Sequence, residues 1–210
     1  MRGKFIAFEG SDGSGKSTVL SKVRGYLEEN NISYIITREP GGTKIGEQIR
    51  DILINNDNTE MDDKTEALLF AAARAQSVEE KLKKELGQKE LVISDRYVLS
   101  SLAYQGYARG LGVDGVRSIN DFATSSLKPD YTFFLDVDPI TVLERKKSQV
   151  EADRLEEEGN NFHEKVYIGY KKLIENEKNL IVIDASKPIE EVVDQTIKNI
   201  KKILEEKWNF

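Results

Sequence analysis

The sequence predicts a three-layer α/β fold, a five-stranded parallel sheet flanked by helices. Three observations predict it. Five short apolar runs, Lys4–Glu9, Ser33–Arg38, Leu91–Asp95, Tyr131–Val137 and Leu180–Asp184, are mostly continuous rather than alternating, as strands covered on both faces are. Longer segments with helical spacing separate them, so parallel strand–helix–strand units with right-handed crossovers are the economical topology. Polar clusters follow three of the strands, at the carboxyl ends where ligands gather in such a sheet: the loop after Glu9, the run Arg38 to Thr43, and Asp95-Arg96.

The first strand runs into Gly10-Ser11-Asp12-Gly13-Ser14-Gly15-Lys16-Ser17-Thr18 and then a helical pattern from Val19 to Asn30. Gly, four residues, then Gly-Lys-Ser between a strand and a helix is the phosphate-binding loop (P-loop) pattern of nucleoside triphosphatases. Its glycines let the backbone approach an anion with no Cβ in the way. Successive N–H groups then form a concave nest, backed by the positive end of the helix. The spacing assigns Lys16 to the β/γ-phosphates of a bound nucleotide and the Ser17 hydroxyl to Mg²⁺. Gly10 through Thr18 are therefore the candidate nucleotide cradle.

The second strand leads into Pro40-Gly41-Gly42-Thr43, a sharp turn with Thr43 as N-cap of a helix through Ile45, Ile49 and Ile52. Arg50 on that helix either faces a phosphate or is solvated. A long helical pattern from Met61 to Leu86 starts at Asp62 or Asp63. Ala67, Leu68, Ala71, Ala72 and Ala75 give it a face of small residues that suits close helix packing. Phe70 and Arg74, four apart, share one face, and a ring beside a guanidinium is a usual way to hold a base. On spacing alone a core phenylalanine beside a surface arginine is the better fit.

Asp95, ending the third strand near the loop, fits the second Mg²⁺ contact, and Arg96 fits a bidentate phosphate ligand; a structural Asp–Arg pair is the competing reading. Ser101 and Gln105 share the face of a short apolar helix with Tyr104 adjacent, and the Gln105 amide suits a pyrimidine edge. Asp136 and Asp138 end the fourth strand, where Asp138-Pro139 reads as a helix cap. Helices are also expected over Val113–Ser126, Phe162–Glu177 and from Pro188 onward. Residues 145–160 are rich in mixed charge and poor in apolar side chains, which suggests either a mobile lid closing over phosphates or a solvated connection.

The 210 residues suit one domain, residues 1–210, able to bury roughly 70% of its unfolded surface. With 39% hydrophobic and 32% charged residues the chain reads as globular with a solvated exterior. A net charge of −6 argues against a general nucleic-acid binder. The chain has no cysteine, hence no disulfide or thiolate metal site. No signal-peptide pattern and no membrane-spanning stretch is seen, so no membrane association and a cytoplasmic location are expected.

Taken together, the motifs closely resemble the thymidylate kinase family, the bacterial dTMP kinases among the P-loop nucleoside monophosphate kinases. The resemblance rests on Phe8-Glu9-Gly10 with Asp12 to Thr18, Thr37-Arg38-Glu39-Pro40-Gly41-Gly42-Thr43, Leu69 to Arg74, Asp95-Arg96-Tyr97, Ser100 to Gly106, and Asp153-Arg154-Leu155-Glu156. It covers nearly the whole chain in order. It implies ATP as donor, dTMP as acceptor, Mg²⁺ and a homodimer, with Phe70 stacking on thymine and Arg74, Ser101 and Gln105 reading its edge. It further implies that Tyr104 crowds the 2′ position, that Arg50 and Arg96 bind the acceptor phosphate, that Asp12 lies near the 3′-hydroxyl and the metal, and that Glu39 supports the acceptor site. The phosphate loop offers Ser14 and Gly15 but no arginine, so the resemblance assigns the catalytic cation to the lid, as Arg154 or Arg145. Where related lids carry further arginines, this chain has Lys146, Lys147, Ser148 and Gln149, and Leu99 stands where relatives often place an aspartate.

Two other classes fit parts of the pattern. A deoxynucleoside kinase would use Glu39 as its base, but would leave the phosphate-seeking arginines unexplained. A nucleotide-dependent switch would carry an Asn-Lys-x-Asp motif, which is absent.

Overall fold

In the computed structural model, residues 2–139, 141, 142, 154, 155, 158–175 and 177–205 are described. The five strands are β1 (Lys4–Glu9), β2 (Tyr34–Arg38), β3 (Leu91–Asp95), β4 (Tyr131–Asp136) and β5 (Leu180–Asp184). All pair in parallel, in the order β2-β3-β1-β4-β5. The sequence reading missed their ends by one residue at most.

Strand β1 shows why the apolar runs are continuous. Ile6 and Phe8 join a core on one face with α1 (Lys16–Glu29), while Phe5 and Ala7 join a second core on the other. Every residue of β1 is buried, as a central strand between two helical layers requires. Strands β2 and β5 lie at the two edges and are less covered. From β1 the chain builds β2 and β3 on one side and then crosses to β4 and β5 on the other. The crevice at the carboxyl end of β1 is therefore the switch point, and the phosphate loop lies there.

Helix α2 (Lys44–Ile54) starts where Thr43 Oγ1 accepts the Gly46 N–H at 3.0 Å. Helix α3 (Asp63–Ser77) is capped by Asp62, which accepts the Lys64 N–H at 2.9 Å. The pattern read as one helix to Leu86 is interrupted: Val78–Leu82 is π-helical before α4 (Lys83–Leu86) resumes. A second π-helical stretch, Leu102–Ala108, follows the short α5 (Val98–Ser101). Period alone does not signal such insertions, which concentrate at functional sites. Helices α6 (Val113–Thr124), α7 (Asn160–Ile174) and α8 (Ile189–Glu205) complete the layers.

The small-residue face of α3 divides. Ala67 and Ala71 turn inward, and Leu68 and Ala72 turn to solvent. Helix α7 approaches the second π-helical stretch so closely at Gly169 that a Cβ there would lie 3.0 Å from the Tyr107 ring. Leu99 is buried in a core with Ala103, Tyr104, Phe134 and Tyr170, so it fills apolar space. Of the segment 145–160, residues 154, 155 and 158–160 are described; Arg145, Asp153 and the remainder lie outside the described residues. No helix among the described residues is long and apolar enough to cross a membrane.

Candidate active site

Gly10, Gly13 and Gly15 have φ of 145°, 82° and 88°. A Cβ at Gly10 would also lie 2.8 Å from the Leu135 carbonyl oxygen, so β4 forces glycine there as firmly as the backbone angle does. Helix α1 begins with Gly15 as N-cap, without a capping side chain and without a carboxylate in its first turn. Its first N–H groups have no intrahelical acceptor, which leaves the positive end of the helix for an anion. Lys16 folds over this loop. Its Nζ donates to Gly10 O at 2.9 Å, Ser11 O at 3.0 Å and Ser14 Oγ at 3.3 Å.

Burial, with Arg96 nearby, pulls the Lys16 pKa down to about 8. At pH 8 about half of the free protein then carries neutral Lys16. A polyphosphate against Nζ restores the charge, so ATP binding at pH 8 is expected to take up about half a proton. Calorimetry in two buffers of different ionisation enthalpy measures it. Uptake that persists in the Lys16→Ala variant would contradict this.

Ser17 and Asp95 line the same cavity beside the loop. Asp95 Oδ1 is buried and accepts no hydrogen bond among the described residues. An unsatisfied carboxylate oxygen of that kind fits a cation or its water shell. Among the described residues no cluster of three or more acidic or histidine side chains forms a cage. One carboxylate and one hydroxyl fit Mg²⁺, which keeps several waters and takes its other ligands from substrate phosphates.

The cavity, about 390 Å³, runs from the phosphate loop to Phe70, Arg74, Ser101 and Gln105. Arg74 is not a surface residue; its guanidinium is almost wholly buried. Nε donates to Glu39 Oε2 at 2.6 Å, Nη1 to Ser101 Oγ at 2.9 Å and to Asn120 Oδ1, and Nη2 to Tyr97 O at 3.0 Å. Among the described residues four of its five N–H groups are used and one on Nη2 is not, and Arg74 lines the cavity. Burial raises the Glu39 carboxyl above its usual range while Arg74 opposes the rise. Glu39 thus holds Arg74 in place at the cavity wall.

Arg50 also lines the cavity, with Nη1 3.3 Å from Pro40 O. Arg38 Nη1 reaches the same carbonyl at 3.2 Å and lines the cavity too, so two guanidinium groups converge after β2. Opposite them, Arg96 (φ 69°) donates to Gly10 O at 2.9 Å and Ser100 Oγ at 3.0 Å, and pairs with Asp12. Tyr104 donates to the other Asp12 oxygen at 2.6 Å. Sequence spacing brings none of these three together; the parallel register of β1 and β3, with Phe8 opposite Asp95, does.

Several residues of the site were not singled out from the sequence. Glu9 is wholly buried at the end of β1. It accepts from the N–H of Tyr97 at 2.9 Å and of Ser100 at 3.2 Å, from Ser100 Oγ at 2.5 Å and from Tyr170 at 3.1 Å. Burial raises its carboxyl above the usual range against the bonds from Ser100 and Tyr97. Through these bonds it fixes the backbone that follows Arg96. A charged residue ending an apolar strand beside Gly10 was the available signal. Asn120, Glu66, Arg109 and Tyr170 carried none, because their partners come from distant segments.

Arg154 lies elsewhere. Its Nε donates to Leu53 O at 2.9 Å and its Nη2 to Glu66 Oε2 at 2.7 Å, and it does not line the cavity. In this conformation Arg154 ties the end of α2 to α3. Asp136 accepts from Lys171 at 2.7 Å, and Asp138 accepts the Thr141 N–H at 3.0 Å, the helix cap that Asp138-Pro139 suggests.

A parallel sheet with a phosphate loop at its switch point, opening into one cavity also lined by Arg50, Phe70, Arg74 and Gln105, defines a P-loop nucleotide-binding protein. Residues 8–196 match the family model described as thymidylate kinase. A thymidylate kinase of Finegoldia magna is 54% identical over 198 residues, covering 94% of this chain and 98% of that protein. One from Lactobacillus helveticus is 51% identical over 210 residues, 98% of this chain and 99% of that protein, and one from Clostridium novyi is 48% identical over 197 residues. The chain belongs to the thymidylate kinase family.

Proposed function

We propose that this protein transfers the γ-phosphoryl of ATP to dTMP, giving dTDP and ADP, for dTTP synthesis. The observation that carries the reading is the single cavity joining the phosphate loop to Phe70, Arg74 and Gln105, with Arg50 and Arg96 between. In this reading the loop and Lys16 hold the donor phosphates. Ser17 and Asp95 hold Mg²⁺, which neutralises charge on the β- and γ-phosphates. Phe70 covers the base, and Arg74, Ser101 and Gln105 read its edge. Arg50 and Arg96 take the acceptor phosphate, with Arg96 drawn from Asp12.

The nucleophile is a phosphate oxygen, already ionised at neutral pH, so no general base is needed. Catalysis then consists of alignment and charge neutralisation. Glu39, the base that a nucleoside kinase would need, binds Arg74 through Oε2 and has no partner for Oε1 among the described residues. What favours a phosphate acceptor is the set of arginines lining the cavity, Arg38, Arg50 and Arg96. For Arg154 to meet the transferring phosphoryl, it must exchange its bonds to Glu66 and Leu53; we retain it, with Arg145, as a candidate lid cation. A coupled ADP-release assay across dTMP, dUMP, dCMP, dGMP and thymidine tests the reading. dTMP is expected to stimulate most, and stimulation by thymidine alone would overturn it.

The same reading makes the protein a cytoplasmic homodimer that pairs through the α3–α6 layer. Supporting it, Phe122 on α6 is 91% exposed and Leu68 on α3 is 55% exposed, large apolar surfaces for a lone chain. Sedimentation velocity at low concentration is expected to give twice the chain mass of 23.8 kDa, and a monomer would contradict the pairing.

A further inference from the structure

A second highly connected buried carboxylate outside the cavity is Glu66, on the first turn of α3 and only 1% exposed. Its Oε2 accepts from Arg154 Nη2 at 2.7 Å and Arg109 Nη2 at 3.1 Å. Its Oε1 accepts from Gln105 Nε2 at 2.9 Å, with Arg109 Nε at 3.3 Å. Arg109 is itself braced by Glu158 at 2.5 Å and lies 4.3 Å over the Phe162 ring. Burial pushes the Glu66 carboxyl up, but the bonds from Arg109, Gln105 and Arg154 outweigh it and hold the group ionised below the usual carboxylate range.

An ionised carboxylate only accepts hydrogen bonds. The Gln105 amide must therefore turn its NH₂ toward Glu66, which leaves its carbonyl oxygen directed away. That oxygen accepts from no described residue, and Gln105 lines the cavity. Left to itself, an amide presents either end by a flip about its last bond. Glu66 removes the choice.

We propose that Glu66 is a specificity-positioning residue: by fixing the Gln105 amide with its carbonyl toward the base, it makes the pocket accept a pyrimidine that carries hydrogen on N3 and reject one with a bare N3. Thymine offers N3–H to that carbonyl. Cytosine brings a lone pair against a lone pair, and turns an amino donor toward the unused N–H of Arg74. A buried polar mismatch of this kind discriminates far more strongly than a missing methyl group. The inference rests on the reading of this chain as a dTMP kinase and adds to it a residue that never touches the base.

The test is the ratio of kcat/KM for dTMP to that for dCMP. In Glu66→Gln the new amide can donate or accept, so Gln105 is free to flip, and the ratio is expected to fall about tenfold or more. Gln105→Leu is expected to lower the ratio as well, and adding Glu66→Gln to it should lower it no further. An unchanged ratio in Glu66→Gln overturns the inference. A further fall in the double variant overturns it too, since Glu66 would then act through general structure. Should Glu66→Gln fail to fold, Glu66→Asp keeps the charge for both arginines, withdraws the carboxylate from Gln105 and is read by the same ratio. A wild-type protein that phosphorylates no dTMP overturns the underlying reading and this inference with it. An active wild type whose ratio survives both substitutions overturns this inference alone.

Discussion

Replacing Lys16 by alanine is expected to lower kcat/KM by about 10²- to 10³-fold with little loss of stability. The large effect follows from its position: a preorganised cation at the donor phosphates is worth roughly 3–4 kcal/mol in a site that excludes water. The small one follows from its burial. Lys16 makes three hydrogen bonds to its own loop, but desolvation has lowered its pKa to about 8, so the fold tolerates its charge rather than drawing strength from it. The unfolded chain holds that proton more tightly, so between pH 8 and 10.5 it binds more protons than the native state, and stability rises with pH across that window. That contribution to the rise is expected to vanish in Lys16→Ala. Thermal unfolding from pH 7 to 10 measures it, beside steady-state kinetics. Near-normal turnover would remove the loop from the account.

Replacing Arg74 by alanine is expected to do the reverse and damage the fold. The change leaves Glu39 as a buried, unpaired carboxylate and strips partners from Ser101, Asn120 and Tyr97 O. Breaking a buried pair from one side costs about 3–5 kcal/mol, and a chain of this size loses about 6–20 °C in Tm for that. Below the lowered Tm, KM for dTMP is expected to rise while KM for ATP holds. Adding Glu39→Gln separates the two effects. It removes the stranded charge and should return part of the stability without returning dTMP affinity. Equal losses for dTMP and ATP in both variants would take Arg74 out of the base end.

The sheet and the phosphate loop were legible because their signals are local. Phe5-Ile6-Ala7-Phe8 is apolar throughout since both faces of β1 are covered, and the glycines at 10, 13 and 15 stand where the backbone turns to positive φ. The acceptor end was legible in its residue types and not in its geometry. Phe70 and Arg74 four apart fit a core ring beside a solvated arginine better than a base clamp. What buries Arg74 is Glu39, 35 residues earlier, and Asn120, 46 residues later. Glu66 carries no signal of its own in the sequence. Only the fold brings Gln105, Arg109 and Arg154 to it, the last from 88 residues away. The two π-helical stretches were invisible for a different reason, since one extra residue in a turn leaves the apolar pattern nearly intact. Arg154 matched its motif, yet its contacts here run to Glu66 and Leu53 and not to the cavity.

The central claim is that one cavity holds the loop-bound donor and a nucleoside monophosphate in line. Incubation with ATP labelled at the γ-phosphate, Mg²⁺ and dTMP tests it most directly, by locating the label in the product. The account predicts label in the terminal phosphate of dTDP and none when thymidine replaces dTMP. Label on thymidine but not on dTMP, or ATP hydrolysis with no labelled nucleotide, would contradict it.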